Sequence, residues 1–435
     1  MPERPYTSRN APPSIARVAL RLLPLQVVFR GGEALLPLAL AAWFGRSAAT
    51  DLYYLLAAYF VFVGTILTAA FQDSGAIAVL VEVEARAPET LEHVLGSLFG
   101  HTLVVGAIVA VGLGLPAAVM AMATSHSPWL AAELTAAMTA GVMATSLRAF
   151  YVGVLNARGA FHAHPVASGA GIAVVWILLA GARHAMGVVA IPVALLVGEL
   201  TAAGVLATWV RRAEGLRIVP SLLRPEPVRR IFSLVRLETT GALITRINPL
   251  VDQIMAGLAR VAGGGTLLRY ATDVAALPTS ILQLTVFPVL LTRLAHESAN
   301  RDRFVATTRG ALGAVVGLAA AVSVLIIALR HPLCVLLFSH GAMDAAGVQR
   351  ITSILPWALV GAAPFGALLV LARAHVALQN SRIMPGMGVL NSVLNAGLNA
   401  VFVTRWGLAG IALSTSVTYV VVALVFWWRL PKAVL

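Results

Sequence analysis

Long apolar runs separated by short polar stretches dominate the chain. Each run holds about 20 residues, the number that an α-helix needs to cross ~30 Å of hydrocarbon. Alternation with a period of two, which marks the strands of a membrane β-barrel, is not their pattern. The approximate limits are 22–44, 52–71, 95–123, 131–155, 166–182, 187–209, 236–258, 266–291, 308–329, 351–374, 384–403 and 408–428. The pattern therefore predicts an all-α integral membrane protein with about twelve transmembrane helices.

Composition supports this prediction. Of the 435 residues, 59% are hydrophobic and 11% are charged, whereas a soluble domain carries about 25% charged residues. The single cysteine, Cys334, excludes an internal disulfide and a CxxC zinc site. The first apolar run contains Arg30 and Glu33 and has no clean cleavage site, so we expect it to remain as the first helix.

The positions of the basic residues predict the orientation in the membrane. With the N-terminus in the cytoplasm, 21 of the 31 arginines and lysines fall on the cytoplasmic side and three fall inside spans. The remaining seven are assigned to the outside: Arg46, Arg183, Arg260, Arg269, Arg330, Arg350 and Arg405. This bias places both termini in the cytoplasm. It also accounts for the net charge of +13 without a nucleic-acid partner.

The most polar stretch divides the spans into two groups of six. It predicts an N-lobe over residues 1–210, a basic cytoplasmic linker over 211–235 and a C-lobe over 236–435. Arg148 and Arg373 are each followed by alanine, a basic turn, a proline and two helices, which is a weak internal repeat. Two pseudo-symmetric six-helix lobes around a central cavity are a common plan of secondary transporters.

Several charged residues fall at membrane depth, where charges are costly and usually face a cavity or a partner. Arginine suits a phosphate group because its planar fork donates two hydrogen bonds and stays charged. The candidates for substrate binding are Arg30, Glu33, Asp73, Arg148, Arg246 and Asp273. Structural ion pairs, such as Arg30 with Glu33, are the alternative, and Arg148 could instead reach the headgroup region.

A second polar set lies in the last two spans. Asn391, Asn395 and Asn399 repeat every four residues and therefore form one stripe, and Thr415 follows in the next helix. With Asp252 they would offer the oxygen ligands that sodium prefers. Hydrogen bonding between helices is the alternative explanation. No other metal or cofactor is predicted, and the loops are too short for a catalytic domain, so we do not expect an enzyme.

Four stretches of the sequence resemble the MurJ/MviN family of lipid II flippases, within the multidrug/oligosaccharidyl-lipid/polysaccharide exporter superfamily. They are AWFGRSAATD from residue 42, GVLNAR from 153 with Phe161 and Pro165, the region from Ile247 to Leu290, and the region from Val370 to Ser416. The resemblance implies two six-helix lobes whose central cavity opens alternately to either membrane face. Two further C-terminal helices typical of these flippases have no counterpart after the twelfth run.

The resemblance also assigns roles to individual positions. Arg30 matches an essential arginine of the family, whereas three other family arginines correspond to Leu36, to about Gly64 and to Asp273. The family's sodium ligands correspond to Asp252, Asn395, Asn399 and Thr415, with a carbonyl near Ile411. The cation set is therefore kept, while most of the arginines that would bind pyrophosphate are replaced.

Together these features predict a flippase in the bacterial inner membrane, driven by a cation or by the membrane potential. Its substrate would be a polyprenyl-(pyro)phosphate-linked saccharide resembling lipid II. The alternatives are an exporter of polysaccharide repeat units, a drug/cation exporter of the same superfamily, a non-transporting scaffold of envelope assembly, and an intramembrane transferase. Membrane lipids, and possible cell-wall synthesis proteins, complete the expected partners.

Overall fold

A computed structural model describes residues 31–72, 75–125, 127–234, 247–285, 290, 293–294, 297, 300–378, 380 and 382–430. Within these ranges the regular secondary structure is entirely helical, which confirms the predicted all-α fold. Seven helical stretches of this part of the chain are long and apolar enough to cross a membrane. Two of them, Ala163–Arg212 and Ile383–Trp428, are long enough to contain two passes each.

Eight α-helices of the described residues form the first half of the fold. They are α1 (Gly31–Phe44), α2 (Ala48–Gln72), α3 (Gly75–Arg86), α4 (Leu91–Thr124), α5 (Pro128–Ala157), α6 (Ala163–Met186), α7 (Ala190–Arg212) and α8 (226–234). Helix α5 begins sharply because Ser127 accepts a hydrogen bond from the backbone nitrogen of Leu130 and Pro128 occupies the first turn. Between α6 and α7, Gly187 adopts a φ of 56°, which allows the chain to reverse.

Eight helices of the second half have described bounds. They are α9 (Asn248–Leu258), α10 (Gly264–Ala275), α11 (Leu277–Thr285), α12 (Arg301–Ala328), α13 (Arg330–Phe338), α14 (Ala345–Leu359), α15 (Ala362–Ala377) and α16 (Ile383–Trp428). Asn300 and Asp344 cap α12 and α14 by accepting from backbone nitrogens at 3.1 and 3.0 Å. Gly407 has a φ of 55° and divides α16 into two passes, 383–406 and 408–428.

The predicted spans correspond to helices wherever the chain is described. The span predicted over 351–374 consists of two helices, α14 and α15, that meet at Val360 and Gly361. Helices α3, α8 and α13 were not predicted. They have 12, 9 and 9 residues, and a search for runs of membrane-spanning length passes over helices this short.

Three clusters of buried apolar side chains show how the halves meet. The largest joins both halves, for example Leu40 and Leu56 with Tyr270 and Ile411. A second cluster contains described residues from the first half alone, and a third from the second half alone. The shared cluster lies at the end of the molecule that carries residues 42–51, 259–266, 339–347 and 404–408, which we call the closed end. At the opposite end, the open end, the described residues form two separate cores.

The predicted linker packs on the first half of the fold. The backbone nitrogen of Ser221 donates to the Gly96 carbonyl oxygen at 3.0 Å. A Cβ atom on Gly96 or Gly100 would lie 2.2 or 2.1 Å from the carbonyl oxygens of Val219 and Ser221, so only glycine permits this approach. In α8, Val228 is fully buried. Residues 213–234 thus belong structurally with α1–α7.

Candidate functional site

A cavity of about 440 Å³ lies between the two halves of the fold. Side chains from α1, α2, α5, α6 and α7 form most of its wall, and α10 supplies the remainder. Five charged residues line it: Glu33, Arg148, Glu199, Arg269 and Asp273. Charges in a membrane-spanning region are costly unless they are paired or serve a ligand, so this cavity is the candidate substrate site.

Arg148 lies in this cavity and forms an ion pair across two helices. Its Nε donates to Oε2 of Glu199 on α7 at 2.6 Å. Both side chains are mostly buried, with 16% and 28% of their surface exposed. Of the two possibilities left open for Arg148, the structure shows the cavity position. Sequence reasoning missed Glu199, although it is the sole acid in the apolar run 187–209.

The second arginine of the cavity is Arg269. Its Nε lies 3.0 Å from Oδ1 of Asp273, one turn further along α10. Counting arginines by span had assigned Arg269 to the outer side. That assignment concerns the side of the membrane and stays a prediction; the structure places Arg269 more than one turn into α10, which begins at Gly264, and its side chain lines the cavity. The four-residue spacing between Arg269 and Asp273 was the available signal.

The cavity therefore holds two guanidinium groups beside three carboxylates. The ion pairs described above engage Nε of each arginine, and a guanidinium also has terminal nitrogens that can donate to an anion. Glu33, on α1, lines the same space as Arg148. The other predicted substrate residues, Arg30, Asp73 and Arg246, lie outside the described residues, and their roles stay predictions.

The five residues predicted to bind a cation come together in the second half of the fold. Asn399 Nδ2 donates to Asp252 Oδ1 at 2.7 Å and to Asn395 Oδ1 at 3.1 Å. Asn395 Nδ2 donates to Thr415 Oγ1 at 3.0 Å. Thr415 Oγ1 lies 3.3 Å from both Asp252 Oδ2 and the Ile411 carbonyl oxygen. We refer to these five residues as the Asp252 network.

The chemical groups of the network suit a small cation, although both amide nitrogens donate hydrogen bonds within the network in this structure. It combines one carboxylate, one hydroxyl, two amides and one backbone carbonyl, and rotation of an amide by 180° exchanges its nitrogen for its oxygen. Ser414, which sequence reasoning did not select, donates a hydrogen bond to Asn399 Oδ1. Its position directly before Thr415 in a helix that faces the asparagine stripe was the signal.

The closed end is sealed by polar contacts between the halves. Arg46, in the turn before α2, donates from Nε and Nη2 to the two oxygens of Asp344 at 2.7 and 2.8 Å, and from Nη1 to the Ala262 carbonyl oxygen at 3.2 Å. Asp51 Oδ1 accepts from the backbone nitrogen and the hydroxyl of Thr266, both at 2.8 Å. Asp51 thereby caps the first turn of α10, where the helix dipole favours a negative charge.

Close backbone approach completes this seal. The nitrogen of Ala342 donates to the carbonyl oxygen of Ala42 at 2.7 Å. A Cβ atom on Gly341 would lie 2.0 Å from that same oxygen, and Gly341 also has a φ of 67°. A side chain is therefore excluded at this position by both contact and conformation.

Comparisons with known proteins agree with this arrangement. The sequence profile described as "Lipid II flippase MurJ" matches residues 40–435. A probable lipid II flippase MurJ from Vibrio cholerae serotype O1 is 25% identical over 193 residues, which cover 44% of this chain and 37% of that protein. The matched region thus spans little more than a third of that relative's length.

Two solved structures share the fold. One is a lipid II flippase MurJ in an inward closed conformation, with a TM-score of 0.79 and 17% identity, covering 94% of this chain and 87% of that one. The other is a MATE-family multidrug resistance transporter in an inward-facing conformation, with a TM-score of 0.75 and 17% identity over 93% of both chains. Both are membrane transporters, and this chain shares their fold.

Proposed function

Because this multi-pass membrane protein belongs to the lipid II flippase MurJ family, we propose that it flips a polyprenyl-(pyro)phosphate-linked saccharide across the bacterial inner membrane. The proposed activity is transport by alternating access, with no covalent bond made or broken. One observation carries the proposal: a charged cavity, lined by both halves of the fold, lies between a closed end and an open end.

We place the open end in the cytoplasm from the distribution of basic residues, and in that orientation the described conformation would be inward-facing. In this state the cavity would receive its substrate from the inner leaflet. Arg148 and Arg269 would bind the phosphate groups, because a guanidinium donates bidentately to phosphate oxygens. Their partners Glu199 and Asp273 would hold the arginines in place when the cavity is empty and lower the cost of burying them.

The Asp252 network would couple transport to a cation, sodium being the first candidate. It lies wholly within the second half of the fold, so a cation bound there can change the shape of one lobe relative to the other. Coupling requires the cation to bind one facing state more tightly than the other. Asp252 supplies the only charge among the five residues of the network, so we expect Asp252→Asn to abolish cation dependence while the fold is kept.

The test is complementation of a bacterial strain depleted of its own lipid II flippase. We expect growth with the wild-type chain and loss of growth with Arg148→Ala or Arg269→Ala at equal membrane levels. Arg350→Ala, which removes an exposed arginine of α14, is the matched control and should complement. Arg30→Ala tests the predicted arginine of the first helix. Normal growth with the Arg148 and Arg269 variants would exclude the cavity assignment.

A second candidate function is export of a cationic compound, because carboxylates outnumber arginines in the cavity. It predicts that the chain lowers the accumulation of cationic dyes in cells and that Glu199→Gln abolishes this effect. Failure to complement together with dye export would favour this candidate. Complementation without dye export would favour the flippase.

A further inference from the structure

A second cavity, of about 560 Å³, lies inside the second half of the fold. It is lined by α9, α15 and both passes of α16, and it shares no lining residue with the cavity between the halves. Asp252 is its only charged lining residue among those described. The cavity therefore carries a negative charge that no basic residue of its described wall balances, which favours a cation.

Two asparagines that line this cavity each have an amide oxygen without a hydrogen-bond donor among the described residues. These oxygens are Oδ1 of Asn248 and Oδ1 of Asn391, and both atoms are buried. Asn248 as a whole is 7% exposed. The oxygens of Asn395 and Asn399, in contrast, accept from Asn399 and Ser414. A buried amide oxygen normally has a partner, so each of these asparagines keeps an unused acceptor that can bind a ligand once the side chain turns it toward the cavity.

Helix geometry orders these groups along one path. Asn248 precedes Asp252 by four residues on α9, and Asn391 precedes Asn395 by four residues on α16, so each pair lies on one helix face. Four residues rise about 6 Å along a helix. Both α9 and the first pass of α16 run toward the closed end, so Asn248 and Asn391 lie one turn nearer the open end than the Asp252 network.

We infer that Asn248 and Asn391 form a second cation position, shared with Asp252 and located on its open-end side. Its ligand is a monovalent cation of the sodium type, partly hydrated, held by two amide oxygens and attracted by the Asp252 carboxylate. A cation leaving the Asp252 network toward the open end would pass through this position. The inference rests on the cation coupling proposed above and adds residues to its path.

Binding of ²²Na⁺ to the purified full-length protein in nanodiscs tests the inference, with sodium-dependent thermal stabilisation as a second readout. We expect Asn391→Leu and Asn248→Leu each to weaken sodium binding about fivefold, the effect of losing one neutral ligand. Asn391→Asp adds a carboxylate, so both positions can be filled and the stoichiometry should rise from one sodium toward two. Thr418→Val, which removes a buried hydroxyl that does not line the cavity, should bind like the wild type.

The outcomes separate this inference from the coupling proposal. If Asp252→Asn abolishes binding while both leucine variants and Asn391→Asp bind like the wild type, the second position does not exist and the coupling proposal stands. If the wild type itself neither binds sodium nor is stabilised by it, both are wrong. Gel filtration of each variant monitors folding. Asn391→Gln keeps an amide oxygen and should therefore bind sodium more tightly than Asn391→Leu.

Discussion

The contact between Arg46 and Asp344 should set the balance between the closed state described here and a state opened at that end. The pair is bidentate, with 21% and 52% of the two side chains exposed. Exposed ion pairs contribute ~0.2–1 kcal/mol, and this geometry places the pair near the upper limit. Asp344→Asn keeps an oxygen for the helix cap but removes the charge, so it should shift the ratio of closed to open molecules about fivefold.

Arg46→Ala should have a larger effect because it also removes the hydrogen bond to the Ala262 carbonyl oxygen. That bond adds about 1 kcal/mol, and the total of ~2 kcal/mol corresponds to a roughly 30-fold shift. The double variant should behave like Arg46→Ala alone, since the pair is already broken. A double-mutant cycle then gives a coupling energy of about 1 kcal/mol.

Spin labels at Trp129→Cys and His340→Cys, one exposed position on each half near the closed end, would report the distance between the lobes. The buried native cysteine, Cys334, is replaced by alanine. Arg405→Ala removes another exposed arginine at the same end and should leave the distance distribution unchanged. A coupling energy of zero, or equal effects of the Arg46 and Arg405 substitutions, would refute the reasoning.

Three further predictions follow from particular contacts. The Arg46 guanidinium holds the pKa of Asp344 at about 2, below its ordinary value. The ion pair is therefore complete above that ordinary value and is lost only as the pH falls through about 2. The spin-label distance should not change between pH 8 and pH 5. Gly96→Val should expose residues 213–225 to protease because its side chain would overlap the Val219 carbonyl, whereas Gly112→Val, in open space on the same helix, should not. Ser414→Ala should weaken sodium binding less than Asp252→Asn, because the described contacts of Ser414 with the network are to Asn399 Oδ1 and the Ile411 carbonyl oxygen, and neither group carries a charge.

The cation residues could be predicted because their pattern is local and periodic. Four-residue spacing places Asn395 and Asn399 on one face of α16, and the turn at Gly407 brings the next pass antiparallel to it, opposite that face. Asp252 joined this set as a carboxylate inside a predicted span, and the resemblance then supplied the carbonyl near Ile411. What could not be predicted is which amide atom faces the carboxylate, since that depends on the whole hydrogen-bond network, including Ser414.

The short helices and the position of the linker were beyond sequence reasoning for a different reason. A run of 12 or fewer residues carries no membrane-length signal, so α3 and α13 were not distinguished from loops. The linker is polar and rich in arginine, and such a composition usually indicates an exposed segment. It nevertheless packs on α4 because Gly96 and Gly100 leave a track for its backbone, and a four-residue glycine spacing in an apolar run is too common to be diagnostic.

The charges of the central cavity show how a comparison by aligned position can mislead. The family resemblance implies that Asp273 stands where the family has an arginine, and it therefore predicts the loss of a positive charge. Yet residues four apart share a helix face, and Arg269, one turn earlier on α10, lines the same cavity. The cavity retains an arginine on that helix, now paired with the acid that occupies the aligned position. A binding surface is formed by every side chain that reaches the cavity. A helix therefore loses its positive charge at that surface only when no residue on the whole cavity-facing side carries one.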